Sequence, residues 1–377
     1  MENTHIRTSV FTIPLIRIIM YIALVLLLIR KNFLPAGLII FILLLTGLTL
    51  LWSRFALRGL EMAAAISPER VFPGESAKLK ISFHNQKRLP LNLEWQQRLL
   101  PDISWEKEQQ GKLEQIISGQ KLVGGHQRIS HTYELKALRR GYFCLKPLLI
   151  EAQDGLGMYR NTAELENKAL IVYPQIRDIA DLELKPADLI GDRRDQRPLM
   201  PDPIRIAGLR DYTPDIPARF INWKASAHKD DLLAKILEPS ADLRICIGVD
   251  VTSFTRPQEL EEEFEEALSV AASIAYWAEN NSIPVALIAN GQQKGLDAPA
   301  VIPMSGAPNH IVFILEALAR LEMKPWGPLD EMIRMEQNNL PWGTTLVWIA
   351  SHQAPIGSSP LSNTLYYGVG RGIIHEK

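Results

Sequence analysis

The stretch LRICIGVDVTS, from Leu243 to Ser253, decides the fold of the C-terminal part of the chain. After Arg244 it is an unbroken apolar run that ends in Asp250, Thr252 and Ser253. Strands that are buried on both faces of a parallel sheet have this composition. We therefore predict a buried parallel strand with polar side chains at its carboxyl end.

Helix and strand patterns alternate after this stretch. Apolar residues recur at three- and four-residue spacing through ELEEEFEEALSVAASIAYWAENN, and the glutamates near its start are expected to face water and to suit the helix dipole. A strand at Pro284 to Asn290, a helix at His310 to Met323 and a strand at Thr344 to Ser351 follow. This order predicts an open parallel α/β sheet over residues 243–377, with ligands at the carboxyl ends of its strands.

The end of the first strand resembles that of the von Willebrand factor A domain, whose metal site uses Asp-x-Ser-x-Ser with a distant Thr and Asp. Asp250 and Thr252 fit this pattern, but Phe254 takes the last ligand position and Ser351 stands near the later Asp. A hard cation such as Mg²⁺ needs oxygen donors. Asp250 and Thr252 are thus a degenerate candidate site, and we expect no metal and no other cofactor. Asp250 can instead cap the following turn.

Residues 61–176 show a period of two. Apolar and polar residues alternate in AKLKISFHN, LNLEW and RISHTYELKAL, and Pro73-Gly74 predicts a turn before the first of them. Short strands separated by turn residues predict a β-sandwich of immunoglobulin-like type. His131 lies on one of these strands, and we expect it to be packed or solvated rather than to bind a ligand.

The N-terminal residues 1–60 are strongly apolar. Residues 33–52 contain no charge and would span about 30 Å as a helix, which is the thickness of the hydrocarbon core of a bilayer. Residues 9–29 form a similar run whose single charge, Arg17, could snorkel to the interface. A signal peptide is the alternative, but no small-residue cleavage site follows Ile29. We expect a transmembrane helical hairpin.

Basic residues flank the two ends of this hairpin more densely than its turn. Arg7, Arg54, Arg58 and Arg70 lie outside the spans, against Arg30 and Lys31 between them. By the positive-inside rule this arrangement predicts cytoplasmic soluble domains. The expected location is the bacterial plasma membrane, with a multi-pass topology and the lipid bilayer as a partner.

Charge and cysteine content exclude some functions. The 41 basic and 42 acidic residues nearly cancel, which does not favour nucleic-acid binding. Cys144 and Cys246 both lie in apolar, strand-like runs, which predicts buried reduced thiols. No Cys/His zinc pattern is present.

Residues 177–242 are predicted to be a linker that contains a second notable stretch, RDYTPDIPARFINWKAS, from Arg210 to Ser226. Arginines, aspartates and aromatic residues interleave here, and such residues form bidentate hydrogen bonds and cation–π contacts. The stretch is either an ordered structural loop packed on the next domain or a surface that binds a partner.

The stretch resembles the signature of a bacterial family named domain of unknown function 58. The pattern is close to Gly-x-Arg-x-Tyr-x-Pro-Gly-Asp-x-x-Arg-x-Ile-x-Trp-Lys-x-Ser-Ala-Arg. This sequence lacks the Gly of Pro-Gly-Asp and has His228 in place of the final Arg. The residues that match, and that the resemblance marks as a candidate partner-binding loop, are Gly208, Arg210, Tyr212, Pro214, Asp215, Arg219, Ile221, Trp223, Lys224, Ser226 and Ala227.

The resemblance implies a non-enzymatic partner of a MoxR-type AAA+ ATPase, and also an association with a transglutaminase-like membrane protein. The resulting expectation is a membrane-tethered cytoplasmic adaptor. An extracytoplasmic, metal-dependent binding module is the alternative if the topology is inverted. A cysteine hydrolase is a more remote alternative, because a nucleophilic Cys needs a nearby base and partial exposure.

Overall fold

The computed structural model divides into two units, Met1–Pro174 and Gln175–Lys377. The residues described are 4–7, 14–54, 57, 59–106, 113–153, 159–166, 169–182, 184, 201–213, 216, 218–229, 231–239, 243–255, 260–354, 359–361 and 363–374. Every structural statement below refers to these residues.

The first unit contains two helices followed by β-strands. The helices are α1 (Pro14–Ile29) and α2 (Phe33–Arg54). The strands are β1 (Thr4–Arg7), β2 (Leu60–Ser67), β3 (Arg70–Val71), β4 (Ser76–Asn85), β5 (Leu91–Arg98), β6 (Ile103–Glu106), β7 (Leu113–Glu114), β8 (Ile116–Val123), β9 (Arg128–Ala137), β10 (Gly141–Cys144), β11 (Leu148–Gln153), β12 (Tyr159–Leu165) and β13 (Ala169–Val172).

Two antiparallel sheets enclose the core of this unit. Among the described strands, one sheet has the order β1-β12-β11-β5-β8 and the other the order β2-β4-β9-β6-β7. Side chains from the two sheets form a single buried cluster, in which the rings of Phe83 on β4 and Trp95 on β5 lie 5.3 Å apart. A smaller sheet joins β10, β13 and β3.

The period-two pattern is confirmed for the strands that it predicted. In β4 the side chains of Leu79, Ile81 and Phe83 are buried and their neighbours are more exposed, and β5 and β9 alternate in the same way. His131 on β9 packs against the indole of Trp95, with ring centroids 4.8 Å apart. Cys144, in contrast, is exposed at the end of β10, so the prediction of two buried thiols was wrong for this residue.

The predicted transmembrane hairpin is overturned. Within the described part of the chain, no helix combines the length and the apolar character needed to cross a bilayer. The predicted multi-pass membrane location depended on this hairpin and is not supported either.

Arg17 does not extend away from these helices as the snorkelling prediction required. Its guanidinium donates a hydrogen bond of 3.4 Å from Nη2 to the carbonyl oxygen of Thr46 on α2. Large apolar side chains of both helices, including Ile29, Phe33 and Leu34, are exposed.

The second unit combines a two-stranded hairpin with a larger mixed sheet. The hairpin consists of β14 (Pro201–Asp211) and β15 (Leu233–Pro239), with helix α3 (Trp223–Lys229) between them in sequence. The elements of the larger sheet and its helices are β16 (Ile245–Val249), α4 (Leu260–Asn280), β17 (Val285–Gln293), β18 (Pro299–Ser305), α5 (His310–Arg320), β19 (Leu321–Pro325), α6 (Leu329–Glu336), β20 (Thr345–Ala350), β21 (Thr364–Gly368) and β22 (Gly372–Ile374).

The larger sheet has a parallel centre and antiparallel edges. The described strands follow the order β18-β17-β16-β20-β21-β22, and β19 pairs with the end of β17. Strands β17, β16, β20 and β21 are parallel, whereas β18 and β22 are antiparallel to their neighbours. The sheet is therefore not purely parallel as predicted.

The helix predicted at His310 to Met323 ends earlier than its apolar spacing suggested. Helix α5 stops at Arg320, because Leu321 begins β19 and is aligned with Gln293 of β17. Helix α6 was not predicted, and it buries Leu329 and Ile333 against the sheet residues around Cys246.

Candidate functional site

The signature residues lie on the hairpin and on α3. Arg210 is aligned with Ala234, and Asp211 with Leu233, in the antiparallel pairing of β14 with β15. Ile221 adds an isolated antiparallel bridge to Ala234. The hairpin, α3 and the segment that precedes α3 therefore form one small folded module, named the signature module below.

Two of the predicted site residues face the interior of this module. Ile221 is buried together with Ile216, Leu233 and Ala234. Ser226 is buried as well, and its Oγ donates a hydrogen bond of 2.9 Å to the carbonyl oxygen of Asn222. The same Oγ accepts one of 2.9 Å from the N–H of Leu233. Both residues serve the structure of the module.

Four other signature residues face outward. Trp223 is 68% exposed, and Arg210 and Lys224 are exposed too. On α3, Lys224 and Ala227 are exposed together with His228, so these residues and Trp223 form its outer face. The exposed apolar side chains of Leu209 and Leu232 lie on the adjoining strands and turn.

The remaining signature residues are described only in part. Gly208 and Tyr212 are half-buried, and the N–H of Tyr212 donates to the carbonyl oxygen of Leu232 at 2.8 Å. Pro214 and Asp215 lie outside the described residues, and of Arg219 only the backbone is described. The predicted partner-binding loop thus divides into inward and outward residues, which sequence spacing does not reveal.

A second polar cluster lies at the carboxyl edge of the large sheet. Strand β16 runs between β17 and β20, so Asp250, Asn290 and Ser351, which come at or near the ends of these three strands, share one edge. After β16 the chain forms β17 on one side of β16 and later forms β20 on the opposite side of β16. Ligands of open α/β sheets bind at such a change of direction.

Asn290 is the central residue of this edge. Its Nδ2 donates to Asp250 Oδ1 at 3.1 Å and to Thr252 Oγ1 at 2.9 Å. It also donates to the carbonyl oxygen of Gly327 at 2.8 Å. Sequence reasoning did not select Asn290, although a polar residue after the apolar run VALIA was the available signal.

Glu263 on α4 contacts the part of this edge that follows β20. Glu263 accepts a hydrogen bond from Ser351 Oγ at 2.9 Å, and its other oxygen lies 2.9 Å from His352 Nδ1. The N–H of Ser351 donates to Ser253 Oγ at 2.9 Å. The expectation that the glutamates at the start of this helix face water was therefore wrong for Glu263.

The edge does not fit the divalent cation that an A-type domain implies. Phe254 is fully buried and packs against Phe264, so it supplies no oxygen. Asp250 Oδ1 already accepts from the N–H of Thr252 as well as from Asn290. Burial raises the pKa of Asp250 against the opposing effect of these hydrogen bonds. Asp250 acts as the cap of the turn Val251–Phe254.

The cysteines differ in environment. Cys246 is fully buried on β16, and burial raises the pKa of its thiol to about 12. A thiol with such a pKa is almost never a thiolate at neutral pH, and the thiolate is the nucleophilic form. Cys246 is therefore poorly suited to act as a catalytic nucleophile.

The second unit thus belongs to the class of α/β proteins with a mixed open sheet, preceded by a short β-hairpin. Residues 208–339, which include most of the signature module and Asp250 and Asn290 of the carboxyl edge, match the family described as "Protein of unknown function DUF58". An uncharacterised protein of Bacillus subtilis (strain 168), YeaD, is 25% identical over 213 residues, which cover 54% of this chain and 49% of YeaD.

Similarity beyond the family is limited. The chain spans about half the length of YeaD. The PapD-like domain 7 of human CEP192 is 14% identical with a TM-score of 0.19, covering 29% of this chain and 84% of that one. A FixG-related protein of Vibrio parahaemolyticus is 15% identical with a TM-score of 0.20, covering 30% of this chain and 96% of that one. TM-scores this low support no conclusion about function.

Proposed function

We propose that this chain is a non-enzymatic protein-interaction protein and that the outer face of α3 binds a MoxR-type AAA+ ATPase. The observation that supports this most directly is the exposure of Trp223, at 68%, on a folded module. A large aromatic side chain that does not contribute to the core of its own module is suited to contact a partner.

The construction of the signature module supports the same proposal. The Ser226 hydrogen bonds and the Ile221 bridge to Ala234 hold α3 on the hairpin before any partner arrives. Ordering an interface on binding costs free energy, so a surface that is already ordered binds more tightly. Trp and Arg also dominate the residues whose truncation weakens protein–protein complexes most.

The charge of the outer face suggests the chemistry of the partner surface. Lys224 and His228 lie one helical turn apart, and α3 contains no acidic residue. Lys229 at its end is 3.3 Å from Asp211 on β14. The complementary surface of the ATPase should therefore combine an apolar pocket for Trp223 with acidic residues around it.

The experiment compares two single substitutions of exposed tryptophans. Trp223→Ala removes the proposed contact, and Trp342→Ala removes a side chain of similar exposure, 73%, outside the signature module. Binding to the purified ATPase, with and without ATP, is measured by calorimetry. Trp223→Ala should weaken binding by about 30-fold or more, as loss of a central aromatic contact does.

Trp342→Ala should bind like the wild type. Circular dichroism of both variants establishes that they are folded. No association of the wild-type chain with the ATPase, or an equal effect of the two substitutions, would contradict the proposal. An enzymatic turnover by the purified chain would contradict its non-enzymatic part.

A further inference from the structure

Three oxygen atoms from three separate segments converge on one nitrogen at the carboxyl edge. Asp250 Oδ1, Thr252 Oγ1 and the carbonyl oxygen of Gly327 lie 3.1, 2.9 and 2.8 Å from Nδ2 of Asn290. Asn290 is fully buried. The three segments are the end of β16, the turn that follows it and the loop before α6.

The orientation of the Asn290 amide is determined by its oxygen, Oδ1. Oδ1 accepts a hydrogen bond of 2.6 Å from the N–H of Val251. Rotating the amide by half a turn would place its oxygen against three acceptors and its NH₂ against a donor. The amide nitrogen therefore has to face the three oxygens.

The number of acceptors exceeds the number of protons. An amide NH₂ carries two hydrogens, yet three oxygens lie within hydrogen-bond distance of it. A ring of oxygens from a carboxylate, a hydroxyl and a backbone carbonyl is also the kind of ligand set that a hard cation takes in proteins.

We propose that the Asn290 amide is a built-in substitute for a divalent cation, and that it holds the carboxyl edge together without metal. The amide supplies the positive end of a dipole at the point where the three oxygens converge. It also links strand β17 to the turn after β16 and to the loop before α6, so the edge has one arrangement whether or not divalent cations are present. This inference stands independently of the proposed ATPase partner.

The test replaces the amide by a carboxylate of the same shape. In Asn290→Asp the new oxygen faces the Asp250 carboxylate and the Gly327 carbonyl oxygen, neither of which can donate, and a proton or a cation would relieve this repulsion. Asn281→Asp is the matched control, since the Asn281 amide donates to a single exposed acceptor, the carbonyl oxygen of Trp277, at 2.8 Å. Thermal unfolding of the full chain is followed with and without millimolar Mg²⁺ or Mn²⁺ at constant ionic strength.

We expect the Tm of the wild type and of Asn281→Asp to be the same with and without the cations. Asn290→Asp should have a lower Tm, and Mg²⁺ or Mn²⁺ should raise it. The proposal is overturned by a saturable rise in wild-type Tm that Asp250→Ala abolishes. It is equally overturned by an Asn290→Asp protein that folds but does not respond to either cation.

A second measurement applies if Asn290→Asp does not fold. Titration of the wild-type chain with Mn²⁺, followed by electron paramagnetic resonance, counts bound ions directly. Absence of saturable binding at the edge supports the proposal, whereas a bound ion that is lost in Asp250→Ala overturns it.

Discussion

Ser226 Oγ and the backbone nitrogen of Leu233 are 2.9 Å apart, and this hydrogen bond joins α3 to β15. Ser226→Ala leaves the N–H of Leu233 without this acceptor in a buried position. Such a loss costs about 1–3 kcal/mol of unfolding free energy. We expect a decrease of this size in urea unfolding monitored by tryptophan fluorescence.

Ala227→Ser is the control for the helix, because Ala227 is exposed one position further along α3. Its unfolding free energy should stay close to that of the wild type. An equal loss in both variants would show that the Ser226 hydrogen bonds are not responsible for the stability of the signature module.

Gly119 is expected to resist substitution because of its cross-strand neighbour. It is aligned with Trp95, and a Cβ atom at position 119 would overlap the indole ring. The indole cannot move away freely, since it is buried and its Nε1 donates to the Tyr133 hydroxyl at 2.9 Å. Gly119→Ala should destabilise the first unit by about 1–3 kcal/mol in calorimetric unfolding.

Gly47→Ala provides the comparison for this prediction. A Cβ atom at Gly47 meets nothing within 4 Å, and Gly47 lies within a helix. Replacing a helical glycine by alanine stabilises by about 0.5–1 kcal/mol. A Gly119→Ala protein as stable as the wild type would contradict the overlap with Trp95.

The pKa of His131 is lower than that of an ordinary histidine. Burial is the main cause, and the charge of Lys121 adds to it. At a pH between this lowered pKa and 6.5, His131 is more often protonated in the unfolded chain than in the folded one. The unfolding free energy therefore rises with pH across that window. Lowering the pH through this window should reduce the unfolding free energy of the wild type more than that of His131→Phe.

The measurement is an NMR titration of the His131 ring between about pH 5 and 8, the range in which histidines change charge. The midpoint should lie below 6.5 in the wild type and move upward in Lys121→Ala, because one unfavourable charge is removed. A midpoint at or above 6.5 would contradict this account of the Trp95–His131 packing.

The two cysteines should differ in reactivity. Cys144 is exposed, whereas Cys246 is buried with a thiol pKa of about 12. Ellman's reagent should therefore titrate one thiol in the native protein and both in denaturant. Cys144→Ser should abolish the native reaction. A native protein in which both thiols react at similar rates would show that β16 is accessible to solvent.

Local patterns in the sequence predicted much of the fold. The alternation in residues 77–83 and the apolar run before Asp250 correspond to β4 and β16, because a period of two and continuous burial are properties of the strand itself. The signature around Arg210 to Ser226 likewise predicted the family that residues 208–339 match. Helix length was harder: apolar spacing continued past Arg320, where pairing with β17 ends the helix.

Sequence alone therefore determined the strand patterns, the α/β character of the second unit and the family that residues 208–339 match. Tertiary structure decided which signature residues point inward, as Ser226 does, and which point outward, as Trp223 does. It also brought Asn290 to Asp250, 40 positions away. The physical reason is that periodicity depends on neighbours along the chain, whereas contacts at a sheet edge depend on strand order. That order places β16 between β17 and β20.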